Sequence, residues 1–192
     1  MADRVPVLVL PGFGVGDGST VGLRTGLALA GHPTHRWNVG RNNGLGETLS
    51  AALRDRFLEL VARHDRPIAI VGWSLGGIHA WALANRFPSQ VEQVITLGSP
   101  LRTMADVSIP AAIPLTSIWS RNDRVVGWRN ASIDEGYRRE NIEVRSTHAT
   151  LGFDPAVVAA IVDRLGQSRA DWQPFRRPGW MRSAFPRPSD SR

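Results

Sequence analysis

The 192-residue chain has no cysteine, no lysine and one tyrosine, and it carries no apolar run long enough to span a bilayer. The missing cysteines give no sign of an oxidising compartment. A chain this long buries about 70% of its unfolded surface in one core, so neither disulfides nor a structural metal are required. The missing lysine excludes a Walker A phosphate loop. The apolar stretch Val5–Leu10 is too short for a secretory leader, so the expected location is cytoplasmic. His32, His35, His64 and His79 show no zinc-ligand spacing with a second His, Cys or carboxylate, and read as surface or satisfied structural residues.

What the chain does have is Gly72-Trp73-Ser74-Leu75-Gly76, a serine between two glycines where an apolar run stops and a helical pattern starts. Pro67–Val71 reads as a buried parallel strand, and Leu75–Phe87 carries apolar residues at helical spacing up to Pro88. A turn that tight strains the serine backbone and aims its hydroxyl out of the sheet. Side chains at 72 and 76 would collide across it.

A serine hydroxyl attacks only when a base takes its proton, and the base needs a carboxylate to fix its tautomer. After such a turn the acid and then the base follow in chain order, each in a loop after a strand. Leu115–Ser120 reads as a strand that delivers Asp123, and Asn141–Arg145 as a strand that delivers His148 ahead of a last helix near Asp154-Pro155. His148 is the single histidine beyond the helix that follows Ser74. Asp134 and Glu135 lie well past the strand end, which favours Asp123.

Two backbone amides must then meet the developing oxyanion. Leu75, directly after the serine, supplies one. The loop after the first strand, Pro11-Gly12-Phe13-Gly14-Val15-Gly16-Asp17-Gly18, supplies the other, with Phe13 as the candidate. A dinucleotide cradle would need glycine where Asp17 and Ser19 stand.

On these motifs, over roughly residues 5–165, the sequence resembles the α/β-hydrolase superfamily, and within it the small lipase and esterase members that are little more than the core. The resemblance implies Ser74 as nucleophile, Asp123 as acid, His148 as base and the Phe13 and Leu75 amides as oxyanion hole. It implies no cofactor and no metal. One departure is Pro11-Gly12, where many relatives begin this loop with His-Gly.

The expected architecture is a minimal α/β-hydrolase core: an about six-stranded, mostly parallel sheet with helices on both faces. Strands are expected near 5–10, 34–38, 67–72, 91–97, 115–120 and 141–145, and helices near 20–31, 45–64, 75–87 and 154–166. Residues 98–114 leave room for no lid or cap, only for a helical turn near Thr103-Met104-Ala105 between prolines. An open, shallow site suits short to medium acyl chains without interfacial activation. Phe13, Trp73, Met104, Ile109, Trp119 and Trp128 are candidates for an acyl-binding surface, set against ordinary core or rim packing.

The net charge is +6, and every strongly basic residue is arginine. We divide the chain into a hydrolase domain (1–167) and a C-terminal arm (168–192) rich in Arg, Pro and aromatics. Such an arm suits peripheral contact with an anionic membrane, a nucleic acid or a partner, and equally an anchor on its own domain. No basic stripe or nucleic-acid motif reaches the core, which favours the anchor. The sequence-level reading is a serine hydrolase of carboxylic esters acting on a small-molecule substrate through an acyl-enzyme. Acyl transfer, thioester or amide cleavage by the same triad, or a non-catalytic binding module on this fold, are the alternatives; the oligomeric state is open.

Overall fold

The computed structural model describes residues 4–104 and 110–186, the Met104 side chain excepted. Its strands are β1 (Val7–Leu10), β2 (Thr34–Arg36), β3 (Ile68–Trp73), β4 (Val91–Leu97), β5 (Leu115–Trp119) and β6 (Arg139–Glu143). Its helices are α1 (Val21–Leu29), α2 (Glu47–His64), α3 (Leu75–Arg86), α4 (Trp128–Ala131) and α5 (Pro155–Leu165). The strands form one six-stranded sheet in the order β2-β1-β3-β4-β5-β6. Every pairing is parallel, where the sequence suggested only mostly parallel.

Side-chain alternation explains the layers. Val7 and Val9 of β1 and Ala69 and Val71 of β3 face one core with Leu23 and Leu27 of α1 and Val157 and Ile161 of α5. Their neighbours Leu8, Leu10, Ile68 and Ile70 face the other core with Leu53, Phe57 and Leu60 of α2 and Leu83 of α3. Both faces are covered, so β1 and β3 read as unbroken apolar runs in the sequence. Helix α2 buries residues spaced by four and three, then stops at Asp65, whose φ of 49° is left-handed. Helix α5 starts where the Asp154 carboxylate accepts the Ala156 amide at 2.8 Å, with Pro155 in the first turn.

Several element ends differ from expectation by one or two residues, and one short helix was not expected. β6 begins two residues earlier than the alternation suggested, at Arg139, although the Val144 amide still reaches the Trp119 carbonyl at 2.9 Å. α4 is a single turn whose apolar pattern is too short to signal itself. The turn between β4 and β5 runs over Leu101–Met104, and Ala105 lies outside the described residues.

The arm packs on the core. Phe185 is 1% exposed within the α1/α5 layer, its ring 5.0 Å from Phe175. The Arg145 amide donates to the Ala184 carbonyl at 3.2 Å, fastening the arm beside β6.

β1 is followed in the chain by β2 on one side of it, and β3 by β4 on the other, so the strand order reverses between β1 and β3. The carboxyl end of such a switch point is the usual ligand position in sheets of this kind. Ser74 and the glycine loop both sit there.

Candidate active site

Ser74 joins β3 to α3 with φ 54° and ψ −122°, a conformation few non-glycine residues adopt. Its amide donates to the Leu97 carbonyl at 2.8 Å, tying the turn to β4. A Cβ on Gly72 would run into the Gly76 carbonyl, and one on Gly76 into the Leu10 carbonyl, so the flanking glycines are steric necessities.

The loop after β1 crosses close by. A Cβ at Gly12 would stand 3.3 Å from the Ser74 Cβ, which puts the next amide, that of Phe13, beside the serine. Among the described residues, neither the Phe13 nor the Leu75 amide has a protein acceptor. Two donors left open beside one hydroxyl can receive an anion.

Asp123 lies in the turn after β5 and is 4% exposed. Its Oδ2 pairs with His148 Nδ1 at 2.7 Å, while Oδ1 accepts the Val125 and Val126 amides at 2.9 and 3.0 Å. Burial pushes the Asp123 carboxyl up, but the bonds from His148 and the two amides outweigh it and hold it below the usual carboxylate range. An ionised carboxylate only accepts, so Nδ1 of His148 carries the proton and Nε2 is left as an acceptor.

Two residues hold this pair against the serine turn. The Trp73 indole donates to the His148 carbonyl at 3.1 Å, with ring centroids 6.3 Å apart. Gly98, at φ 52°, follows β4 beneath the pair; a Cβ there would stand 2.8 Å from Asp123 Oδ2 and 3.2 Å from His148 Nδ1. Gly98 carried no motif in the sequence, since its role is a close approach between three loops.

The candidate acyl surface is only partly as expected. Phe13 is 68% exposed, and Phe153, not singled out from sequence, is 54% exposed and edge-on to Trp73. Trp73 itself is buried and props His148. Trp119 is buried too, 7% exposed, which is the core packing set against the acyl-surface reading. It stacks on Trp128 at 5.5 Å and donates its indole N–H to Asn141 Oδ1 at 3.2 Å. Trp128 is half-buried, with the guanidinium groups of Arg129 and Arg121 at 4.6 and 4.7 Å from its ring. Ile109 and the Met104 side chain lie outside the described residues.

Two of the histidines read as structural partner one another. His35 of β2 and His64 at the end of α2 bring their Nε2 atoms to 2.7 Å, a pairing hidden by a separation of 29 residues. Among the described residues no group of three or more His, Cys, Asp or Glu side chains is arranged to hold a metal ion. No described helix is long and apolar enough to cross a membrane.

The all-parallel sheet with its strand–serine–helix turn at the switch point defines the class: an α/β-hydrolase fold. The chain belongs to the alpha/beta hydrolase family, whose model matches residues 2–186. Among solved structures it is similar to lipase B of Aspergillus fumigatus (TM-score 0.69, 18% identity), covering 86% of this chain and 53% of that one. It thus spans about half the length of that lipase. It is also similar to a hydrolase from Pseudomonas aeruginosa (TM-score 0.66, 15% identity, 87% and 92% coverage). A third likeness is to the monoacylglycerol lipase of Paleococcus ferrophilus (TM-score 0.61, 12% identity, 84% and 95% coverage). No curated protein sequence matches the chain.

Proposed function

We propose that the protein hydrolyses carboxylic esters of short to medium acyl chains through an acyl-enzyme on Ser74. The observation that carries the reading is the Ser74 backbone, held at φ 54° beside an Asp–His hydrogen bond. Strain at a non-glycine residue persists only where its surroundings enforce it, and at a strand–helix turn it exposes the hydroxyl.

In this mechanism His148 Nε2 takes the Ser74 proton as Oγ attacks the ester carbonyl. Asp123 holds Nδ1–H and stabilises the imidazolium. The Phe13 and Leu75 amides receive the oxyanion, each worth about 2.7–4 kcal/mol. Collapse breaks the C–O bond, and His148 returns the proton to the leaving alcohol. Water, deprotonated by the same imidazole, then cleaves the acyl-enzyme to the acid and regenerates Ser74. The exposed Phe13, and the exposed Phe153 against Trp73, with no lid or cap domain among the described residues between β4 and β5, support an acyl site open to solvent and limited in length.

The test is a p-nitrophenyl ester series from acetate to dodecanoate, with wild type, Ser74→Ala and His148→Ala. Turnover that both substitutions abolish, highest at short to medium chains, supports the reading. Absent turnover together with no labelling of Ser74 by a fluorophosphonate overturns it.

A further inference from the structure

The glycine loop beside Ser74 has little internal means of holding its shape, and a second loop, after β2, holds it instead. Asn42 of that loop is fully buried. Its backbone N–H donates to the Val15 carbonyl at 2.8 Å, and its carbonyl accepts the Gly14 amide at 2.7 Å. Its side-chain Nδ2 donates to the Pro11 carbonyl at 2.8 Å. Asn42 therefore grips the loop on both sides of Gly12-Phe13, the segment whose amide stands open beside the serine.

The side-chain orientation follows from the network. Because Nδ2 is spent on Pro11, Oδ1 must be the atom facing His79, and it lies 3.2 Å from His79 Nε2. His79 is on α3, just over one turn beyond Ser74, and 3% exposed. Burial holds its pKa below the ordinary histidine value, and with either charge the Nε2–H donates to Asn42. The Gly44 amide also approaches Oδ1, at 3.4 Å. The helix that carries the serine thus reaches, through one imidazole and one amide, the loop that carries the opposing donor.

We infer that Asn42 and His79 are positioning residues for the oxyanion site, setting the Phe13 amide relative to Ser74. The inference rests on the proposed ester-hydrolase reading and adds what fixes the second donor. Transition-state stabilisation by an amide depends on its being held before charge develops. A loosened loop therefore lowers kcat and leaves ground-state binding nearly unchanged.

The experiment measures kcat and KM per fluorophosphonate-titrated serine for wild type, Asn42→Ala, His79→Leu and His79→Gln. Affinity for an alkyl boronic acid, which forms a tetrahedral adduct, is measured alongside. Asn42→Ala is expected to lower kcat about 10- to 100-fold, short of the full loss of a donor, with KM within about two-fold. Boronate affinity falls in parallel. His79→Leu lowers kcat about ten-fold, and His79→Gln, which restores an N–H donor, recovers most of it. Lowered melting temperatures with unchanged kcat per labelled serine, or no difference between Leu and Gln at 79, overturn the inference. If wild type itself turns over no ester, the functional reading fails, and the clamp is read from amide exchange. About ten-fold faster exchange at Gly14 in Asn42→Ala upholds it, and unchanged exchange sinks it.

Discussion

His148 Nδ1 and Asp123 Oδ2 lie 2.7 Å apart, and the same carboxylate is anchored by two backbone amides through its other oxygen. The imidazole is thereby committed to one tautomer. Asp123→Asn presents an amide that can donate to Nδ1, which would leave Nε2 protonated and unable to accept the serine proton. We expect kcat to fall by about 10⁴ with the fold intact. The sign of the pH effect follows from the depressed Asp123 pKa. Its stabilisation is complete above the unfolded value of about 3.9 and is lost as pH falls through the lower folded value. Urea unfolding of wild type and Asp123→Asn should therefore converge as pH falls below about 4. A difference that does not shrink below that pH would contradict this.

Gly98 separates activity from stability in a different way. Its φ of 52° and the 2.8 Å approach of Asp123 Oδ2 to a would-be Cβ mean that Gly98→Ala must push the carboxylate or the turn aside. The left-handed backbone costs the variant about 1 kcal/mol, a small part of typical domain stability. A shift of under an ångström in the Asp–His pair costs about 10²-fold in rate. The comparison to make is kcat against melting temperature for Gly98→Ala. Retained activity would place the pair's tolerance well above what the geometry implies.

Much of the layout was legible because it is local or topological. Ser74 announces itself through Gly72 and Gly76: the Gly72 contact with the Gly76 carbonyl is made within five residues of chain, although Gly76 also meets the Leu10 carbonyl across the sheet. Alternating apolar strands and helical stretches dictate the doubly covered sheet. Asp123 and His148 could be chosen by chain order because parallel strands deliver all their following loops to one end. What sequence did not reveal is tertiary. Asn42 meets His79 across 37 residues and His35 meets His64 across 29, with no repeat or spacing to mark either. For Trp119 the sequence left an acyl-binding surface and ordinary packing both open, because an apolar residue at a strand end reads alike beside a site and against a neighbouring tryptophan. Phe185 sits in an Arg/Pro-rich stretch whose composition masks a core residue.

The His35–His64 contact makes stability sensitive to mild acid. Burial, reinforced by the His64 ring and the Arg56 and Arg63 guanidinium groups, holds His35 down to about 4 from an ordinary 6.5. Between those values the unfolded chain binds more protons than the folded one, so stability rises with pH across that window and is flat above it. His35→Asn removes the titration. Melting curves at pH 7 and pH 5 should show a smaller drop for the variant than for wild type, and an equal drop would assign the acid sensitivity elsewhere.

Whether the arm is an accessory or part of the domain turns on Arg164, which is 1% exposed on α5. Its guanidinium donates to Glu140 Oε1 at 2.8 Å and to the Gln173 carbonyl at 2.6 Å, and it also pairs with Asp163. Glu140 in turn accepts the Phe175 amide at 2.7 Å and the Thr116 hydroxyl at 3.0 Å. One buried ion pair therefore links α5, β5, β6 and the arm. Removing only the cation strands a buried carboxylate, so Arg164→Leu should destabilise by about 3–5 kcal/mol. The double variant Arg164→Leu/Glu140→Leu should recover part of that, because the unpaired charge is gone. Deleting 168–192 removes Phe185 from the core and two of Glu140's and Arg164's partners, and should leave a chain that does not unfold cooperatively in urea. A truncated protein with wild-type melting and ester turnover would make the arm an appendage, and Phe185 a surface graft rather than a core residue.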